Sequence, residues 1–519
     1  MVTYRNIEFS KRGDILDTKG KVLAFSVKQY TVFIDPNRMD NLSKMRQILS
    51  KNGIQLNNTH LKKLKITRTS YVPIAYNVDS KTIRNIKKAK INGIGFHSTY
   101  VRKYPLGQLC SNIIGITDID GHGLEGIERI CEKCLRGNCI KVHMLRDGRG
   151  NIIQKDKHID KTKMKGHNIT LHIDATIQLI VTHELQKAIL KFRAKKAVCI
   201  IQNPRTGAIL SMVSIPSFNP NKKINNINTL RNSAISNVYE PGSTFKIVTV
   251  STALDTGLVQ LSDNFYLNNS SYKLAGHIIK DNHKKVNRFI SLSEAIEYSS
   301  NIIMSQLAQK IGTKNFYKYI RNFGFYSLTG IDLSGEEKGL LSNINKIHPL
   351  SLCTISFGQG IGVTAIQIIS AFSTIANDGV LMKPLLIKKI DNTNLKQQVI
   401  RRVISANTAK VMKRILKNAV DFGTGHSGKI NGYSMGGKTG TAQKIDHLTK
   451  SYSKTAYTAS FCGLIPAMNP KLVILVIIDE PCGNYYASSV ASPVFARIAE
   501  KVLQYLEIAK DENKFNILI

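Results

Sequence analysis

Ser243 and Lys246 stand three residues apart in Glu240-Pro241-Gly242-Ser243-Thr244-Phe245-Lys246, just after a Pro-Gly turn and at the head of the apolar run Ile247 to Leu254. That run predicts a helix, which puts the hydroxyl and the amine one above the other on a single face. A serine hydroxyl is protonated at neutral pH and attacks a carbonyl only when a neighbour takes its proton as the new bond forms. A lysine does this when burial or a second cation lowers its pKa toward about 7 to 8. Alone, Ser-x-x-Lys equally describes a capped helix carrying a solvated lysine. Two further groups change the balance: Ser299-Ser300-Asn301, inside the helix-like run Ser293 to Ile311, and Gly437-Lys438-Thr439-Gly440-Thr441, between two strand-like segments.

Ser-x-x-Lys, Ser-x-Asn and Lys-Thr-Gly in that order form the set shared by penicillin-binding proteins and class A β-lactamases. The chain resembles a class B penicillin-binding protein of the septal, division-specific type, and the likeness runs over nearly its whole length. Arg12-Gly13-Asp14-Ile15-Leu16-Asp17, Gly20-Lys21-Val22-Leu23-Ala24, Arg102-Lys103-Tyr104-Pro105-Leu106-Gly107 and Gly121-His122-Gly123-Leu124-Glu125-Gly126-Ile127-Glu128 are similar to the family's N-terminal motifs. Pro216 to Asn221 and Ser356-Phe357-Gly358-Gln359-Gly360 resemble segments that flank its active site. Glu-Pro-Gly-Ser-Thr at 240–244, Tyr485-Tyr486 and Ala491-Ser492-Pro493-Val494-Phe495 carry the septal likeness.

The resemblance implies a D,D-transpeptidase acting on peptidoglycan stem peptides, with β-lactams as inhibitors. Ser243 is then the nucleophile toward the penultimate D-alanine carbonyl, and Lys246 its base. The backbone N–H groups of Ser243 and Thr441 are the implied oxyanion donors. Ser299 relays a proton toward the leaving amine, and Asn301 holds Lys246 and the substrate amide. Lys438 supplies positive charge that favours a neutral Lys246 and attracts the terminal carboxylate, to which Thr439 and Thr441 add hydroxyls. Gly436, Gly437 and Gly440 leave room for another backbone to approach closely. No cofactor and no metal is expected. Nothing resembles the water-activating glutamate of β-lactamases, which favours an amine over water as acyl acceptor. The alternatives are an elongation-type transpeptidase, a D,D-carboxypeptidase, or a non-catalytic division scaffold or β-lactam sensor.

The expected fold is α+β: an extended, mainly β N-terminal pedestal module of the dimerisation type over residues 1–167, then a penicillin-recognising transpeptidase domain over 168–509 built as an antiparallel sheet with helices, and a frayed tail over 510–519. Strands are predicted at Val198 to Gln202, Ala208 to Val213 and Leu472 to Ile478, and helices at Ala175 to Phe192 and near Pro493 to Ala509. At 519 residues, 42% apolar and 21% charged, the chain has the composition of a folded body. The excess of 73 Lys and Arg over 35 Asp and Glu gives +38. Lys, Ile and Asn are abundant together and Trp is absent, so the charge reads as AT-biased drift spread along the chain, and no nucleic-acid partner is expected.

Among eight cysteines, Cys131, Cys134 and Cys139 cluster near His143. Scattered small apolar residues explain them better than a zinc knuckle, and disulfides stay open for a periplasmic domain. Family members carry a membrane helix ahead of the Arg-Gly motif, whereas eleven residues precede Arg12 and no run reaches the roughly 20 apolar residues that span a bilayer. By resemblance the protein sits at the inner (cytoplasmic) membrane with a periplasmic catalytic domain, its anchor absent from this chain. Division-complex membrane proteins and a separate glycosyltransferase are the implied partners.

Overall fold

The structure is a computed structural model. It describes all residues except 1, 9–10, 67–69, 138–139, 147–151, 156–164, 269, 275, 282–286, 447–448, 450 and 513–519, and gives only the backbone for residues 2–8, 65, 140–146 and 152–155. The N-terminal module contains β1 (Val2–Glu8), β2 (Ile15–Leu16), β3 (Val22–Ile34), α1 (Leu42–Lys51), α2 (Asn58–Ile66), β4 (Val72–Val78), α3 (Ser80–Lys88), β5 (Ile94–Lys103), β6 (Ile140–Arg146) and β7 (Ile152–Lys155). β3 and β5 form a long antiparallel ribbon, from Phe25 opposite Lys103 to Ile34 opposite Ile94. At its far end α1, α2 and α3 close over a separate small core of Val32, Ile34, Met45, Leu49, Ile83 and Ile86. The helices there are capped by sequence: Asn41 accepts from Lys44 N–H, and Asp79 from Lys81 and Thr82 N–H.

At the near end of the ribbon, buried charges hold the Arg-Gly motif. Glu128, fully buried, accepts from Arg12 Nε and Arg102 Nε at 2.6 Å each, and Arg12 also reaches Glu132 and the Glu128 carbonyl at 2.6 Å. Arg102 further donates to the Gly13 carbonyl at 2.8 Å. Each buried guanidinium therefore has several acceptors, which a desolvated charge needs.

The catalytic body follows with β8 (Ile169–Leu171), α4 (Ala175–Phe192), β9 (Lys196–Gln202), β10 (Ile209–Ile215), α5 (Lys246–Asp255), α6 (Leu292–Glu297), α7 (Asn301–Ile311), α8 (Ala365–Ala376), β11 (Ile387–Ile390), α9 (Ala406–Asp421), β12 (Gly436–Ile445), β13 (Tyr452–Ile465), β14 (Leu472–Asp479) and α10 (Ala487–Tyr505). Its sheet is five-stranded and antiparallel, in the order β10-β9-β14-β13-β12. Strands alternate between two apolar faces: Cys199, Ile201, Ile474 and Val476 meet α4 and α10, whereas Val198, Ile200, Val473 and Leu475 join the core that holds α5, α7, α8 and α9. This two-sided burial is why β14 reads as an unbroken apolar run.

The modules share a seam. β2 pairs in parallel with β8, Ile15 opposite Ile169, and β8 pairs in turn with β11. One apolar core contains Ile15, Leu23 and Ile113 from the N-terminal side together with Ile169, Leu171 and Ile200.

Four expectations are corrected. The run Ser293 to Ile311 is not one helix: it breaks at Tyr298 to Ser300, where Ser299 adopts φ of 59° and Ser300 caps α7 by accepting from Ile303 N–H. Pro216 to Asn221 lies against the N-terminal module, since Asn221 exchanges two hydrogen bonds with the Tyr104 backbone at 3.1 and 2.7 Å. The tail is docked at its start, where Asp511 accepts from Ser434 N–H at 2.8 Å and donates its own N–H to the Gly432 carbonyl. The excess charge is also uneven: residues 42–90 hold twelve Lys and Arg against one acid, Asp79.

Cys139 and the His143 side chain lie outside the described residues. Of the other cysteines, Cys110, Cys131, Cys134, Cys199, Cys353, Cys462 and Cys482 are free thiols. Among the described residues no group of three or more His, Cys, Asp or Glu is arranged to hold a metal ion, and no helix is long and apolar enough to cross a membrane.

Candidate active site

The turn bearing Ser243 is a single 3-10 turn, Gly242–Phe245, that feeds directly into α5. Pro241 precedes it, and Thr244, fully buried, donates its hydroxyl to the Pro241 carbonyl at 2.8 Å. Gly242 sits at φ of +54° and donates its N–H to the Gly358 carbonyl at 3.0 Å, so the segment Ser356–Gly360 supports the turn from behind. Lys246, one turn on, has no exposed surface.

Lys246 Nζ lies 2.5 Å from the Ser299 carbonyl, 2.7 Å from Asn301 Oδ1 and 3.2 Å from Ser299 Oγ. Lys438 Nζ, on β12 and also fully buried, lies 2.9 Å from the same Ser299 Oγ. A single hydroxyl thus sits between two amines, brought there by the left-handed backbone at Ser299 that breaks the helix. Among the described residues Ser243 Oγ makes no hydrogen bond, and the head group of Lys246 is turned to Ser299 and Asn301 instead. Such contacts commonly tighten only when substrate is bound.

The electrostatics follow from burial. Lys246 is held well below the usual lysine range, first by desolvation and then by the charge of Lys438, with Asp281 pulling the other way. Lys438 is itself brought down to about 7 by burial. Lys438 is therefore not a permanent cation, as the sequence suggested, but one that titrates near neutrality. A neutral Lys246 keeps two N–H donors and gains a lone pair. It can donate to the Ser299 carbonyl and to Asn301 while accepting the proton of the Ser299 hydroxyl, which in turn accepts from Lys438.

β12 closes the cleft on the other side. A methyl group at Gly440 would lie 2.6 Å from Ser460 Oγ and 2.8 Å from the Pro241 carbonyl. Glycine at this position lets the strand lie against the nucleophile turn, so that the Thr441 carbonyl stands 3.2 Å from where a Gly242 Cβ would be. Gly436 and Gly437 make room for side chains as well as backbone: the Leu416 and Leu464 side chains at 3.1 Å for the first, and the Phe461 ring at 2.7 Å with the Cys462 carbonyl at 3.1 Å for the second. Thr439 Oγ1 is 3.0 Å from Thr424 Oγ1 and 3.4 Å from Lys438 Nζ. Thr441 Oγ1 accepts from Ala487 N–H at 3.0 Å, which ties the strand to the start of α10. Beyond it Tyr485 stacks on Tyr457 with centroids 3.9 Å apart, and Tyr486 leans on Tyr485.

Two carboxylates escaped the sequence reading. Asp281 accepts from the Ser300 hydroxyl at 2.6 Å and from the N–H groups of Asn301 and Ile302 at 2.6 and 3.2 Å. It fixes the break before α7 and faces Lys246 electrostatically. It lies 18 residues before Ser299 with no motif to mark it. Glu240, inside the first motif, accepts from Gly360 N–H at 2.8 Å and the Tyr452 hydroxyl at 3.2 Å. Burial raises its carboxyl above the ordinary range, with Gly360 opposing.

Residues 197–500 match the family model described as penicillin binding protein transpeptidase domain, and residues 7–171 match the penicillin-binding protein dimerisation domain. The chain is 32% identical to stage V sporulation protein D of Bacillus subtilis over 98% of its own length and 81% of that protein's. It is 33% identical to peptidoglycan D,D-transpeptidase FtsI of Buchnera aphidicola subsp. Baizongia pistaciae, over 97% of this chain and 88% of that one. The crystal structure of penicillin binding protein 3 from Mycobacterium tuberculosis, complexed with ampicillin, superposes with a TM-score of 0.76 at 25% identity, covering 99% of both chains. With a matching transpeptidase domain over more than half its length and relatives alike from end to end, the chain belongs to the class B penicillin-binding proteins.

Proposed function

We propose that the chain is a peptidoglycan D,D-transpeptidase that joins stem peptides through a Ser243 acyl-enzyme during septum formation. The observation that carries this is the convergence of Lys246 and Lys438 on the Ser299 hydroxyl, with Asn301 holding Lys246, beside the turn that presents Ser243. Ser243 Oγ bonds to the carbonyl carbon of the penultimate D-alanine as its proton passes to Lys246. The bond to the terminal D-alanine then breaks, and Ser299 returns a proton to the departing amine. The amine of a neighbouring strand takes the acyl group from Ser243 and completes the cross-link.

The N–H groups of Ser243 and Thr441 stabilise the oxyanion, a role supported by the close approach of β12 to Gly242. One such donor contributes about 2.7 to 4 kcal/mol to transition-state stabilisation. Lys438, Thr439 and Thr441 receive the substrate carboxylate around Gly440. The same contacts make β-lactams acylating inhibitors. By the family resemblance of its motifs, the catalytic body works on the outer side of the cytoplasmic membrane, alongside division-complex proteins and a separate glycosyltransferase.

A fluorescent penicillin is expected to label the wild type covalently and to leave no label on Ser243→Ala at unchanged folded content. A folded wild type that takes no label sinks the transpeptidase reading in favour of a scaffold. If water rather than an added amine accepts the acyl group from a stem-peptide donor, the enzyme is a carboxypeptidase.

A further inference from the structure

The far end of the β3–β5 ribbon carries a surface unlike the rest of the chain. Residues 42–90 contain twelve of the 73 Lys and Arg but one of the 35 acids. AT-biased drift explains abundant lysine but not missing acids, because aspartate and glutamate codons tolerate the same bias. The one acid in that stretch, Asp79, is spent as the N-cap of α3, and the two just ahead of α1 are engaged as well, Asp35 by Asn37 N–H and Asp40 by the Asn92 side chain. Lys44 and Arg46 on α1, Lys62 on α2, and Lys81, Arg84 and Lys88 on α3 are all exposed. They come from three helices around one small core, so they fit an extended anionic surface rather than one bound anion.

The same lobe also exposes apolar and aromatic tips. Ile66 at the end of α2 is 78% exposed, Tyr76 on β4 is 64% exposed, and Tyr71 just ahead of β4 is 47% exposed. β4 pairs with β3 along one edge only, which leaves Tyr76 at the rim of the sheet. Lysines interleaved with tyrosine and isoleucine tips suit the headgroup layer of a bilayer, where cations meet lipid phosphates and amphipathic rings settle at the boundary. A polymer of carboxylates or a nucleic acid would use the cations but give Ile66 no apolar phase.

We propose that this lobe is an electrostatic foot that rests on a bilayer rich in anionic phospholipid, while the ribbon, ten paired residues long, sets it off from the catalytic body. At about 3.3 Å per residue that ribbon spans roughly 30 Å.

The test is co-sedimentation of the whole chain with vesicles of phosphatidylglycerol and phosphatidylcholine, with phosphatidylcholine alone, and with purified peptidoglycan. Binding is expected to the anionic vesicles, weaker by about tenfold or more on the neutral ones, and to fall at least about tenfold as salt is raised from 50 to 300 mM. Neutralising Lys44, Lys62, Lys81 and Arg84 to Gln should remove most of it while penicillin labelling stays at the wild-type rate, and reversing Lys81 and Arg84 to Glu should lower it further. Equal binding to both kinds of vesicle, unchanged binding by the Gln variant, or stronger binding to peptidoglycan than to anionic vesicles overturns the proposal. The labelling readout is separate, so a failure of the transpeptidase reading and a failure of the foot are distinguishable.

Discussion

Two lysines without exposed surface define the chemistry at the residue scale, and their titration sets the expected pH profile. In the proposed mechanism Lys246 is neutral when it accepts a proton and Lys438 is charged when it holds a carboxylate; burial lowers both lysines, Lys438 to about 7. Penicillin acylation should therefore decline as pH rises through about 7 to 8, and this limb should vanish in Lys438→Gln, whose rate is lower by about 100-fold throughout. Rates of fluorescent-penicillin labelling from pH 5.5 to 9.5 measure both. Asp281 offers a second check. Its replacement by Asn loses a charged acceptor for two N–H groups and a hydroxyl, which should cost about 1 to 2 kcal/mol of stability and slow acylation by about tenfold or more as the Ser299 turn loosens. A melt with wild-type midpoint and wild-type labelling would show that Ser300 and Asn301 hold themselves in place.

Residue types in the three motifs were enough to pick out Lys246, Lys438, Ser299 and Asn301, which the structure brings together beside the turn that carries Ser243. They did not reveal Asp281, because its contact with Ser300 spans 19 residues of sequence and follows no helical spacing. Ser-Ser-Asn did carry a signal for the helix break, since serine and asparagine favour helix starts over helix interiors, and the apolar periodicity on both sides outweighed it.

At the scale of elements, β12 and the nucleophile turn must touch. Gly440→Ala adds a methyl group 2.6 Å from Ser460 Oγ and 2.8 Å from the Pro241 carbonyl. The strand is expected to back away from the Pro241 carbonyl by several tenths of an ångström, lowering acylation by about 100-fold, while the hydroxyl of Ser460, opposite Gly440 on β13, turns aside and the backbone pairing of the two strands stays formed. Labelling kinetics together with far-UV circular dichroism separate the two effects. β9, β10 and β14 were readable as short apolar runs because both faces are covered, and α4 as the long periodic segment beside them; β12, polar and rich in glycine, reads as a link between strands but is itself one, and α10 begins at Ala487, six residues ahead of the expected Pro493. What pattern could not supply was the partner of each strand: β9 lies between β10, its hairpin mate, and β14, some 270 residues away, a pairing set by how the chain returns and not by local sequence.

For the whole molecule, buried charge is a liability that function requires. Lys438 has a folded pKa of about 7 against 10.5 when free, so the folded state binds fewer protons across that interval and stability rises with pH there. Replacing Lys438 by Met should stabilise most below pH 7, by a few kcal/mol, with the gain shrinking by about 1.4 kcal/mol per pH unit toward 10.5. Urea unfolding at pH 6 and pH 9 tests the sign. Glu128 works the other way: Glu128→Gln leaves Arg12 and Arg102 short of charge in a buried setting and should destabilise by about 3 to 5 kcal/mol.

The seam between β2 and β8 carries a last consequence. Because Ile15 and Leu16 are stitched to Ile169 and Thr170 by strand pairing and enclosed in the same apolar core, the covalent link at residues 166–167 is not what keeps the halves together. Fragments 1–166 and 167–519 produced separately in one cell should find each other, purify as a pair and melt in one cooperative step in the calorimeter.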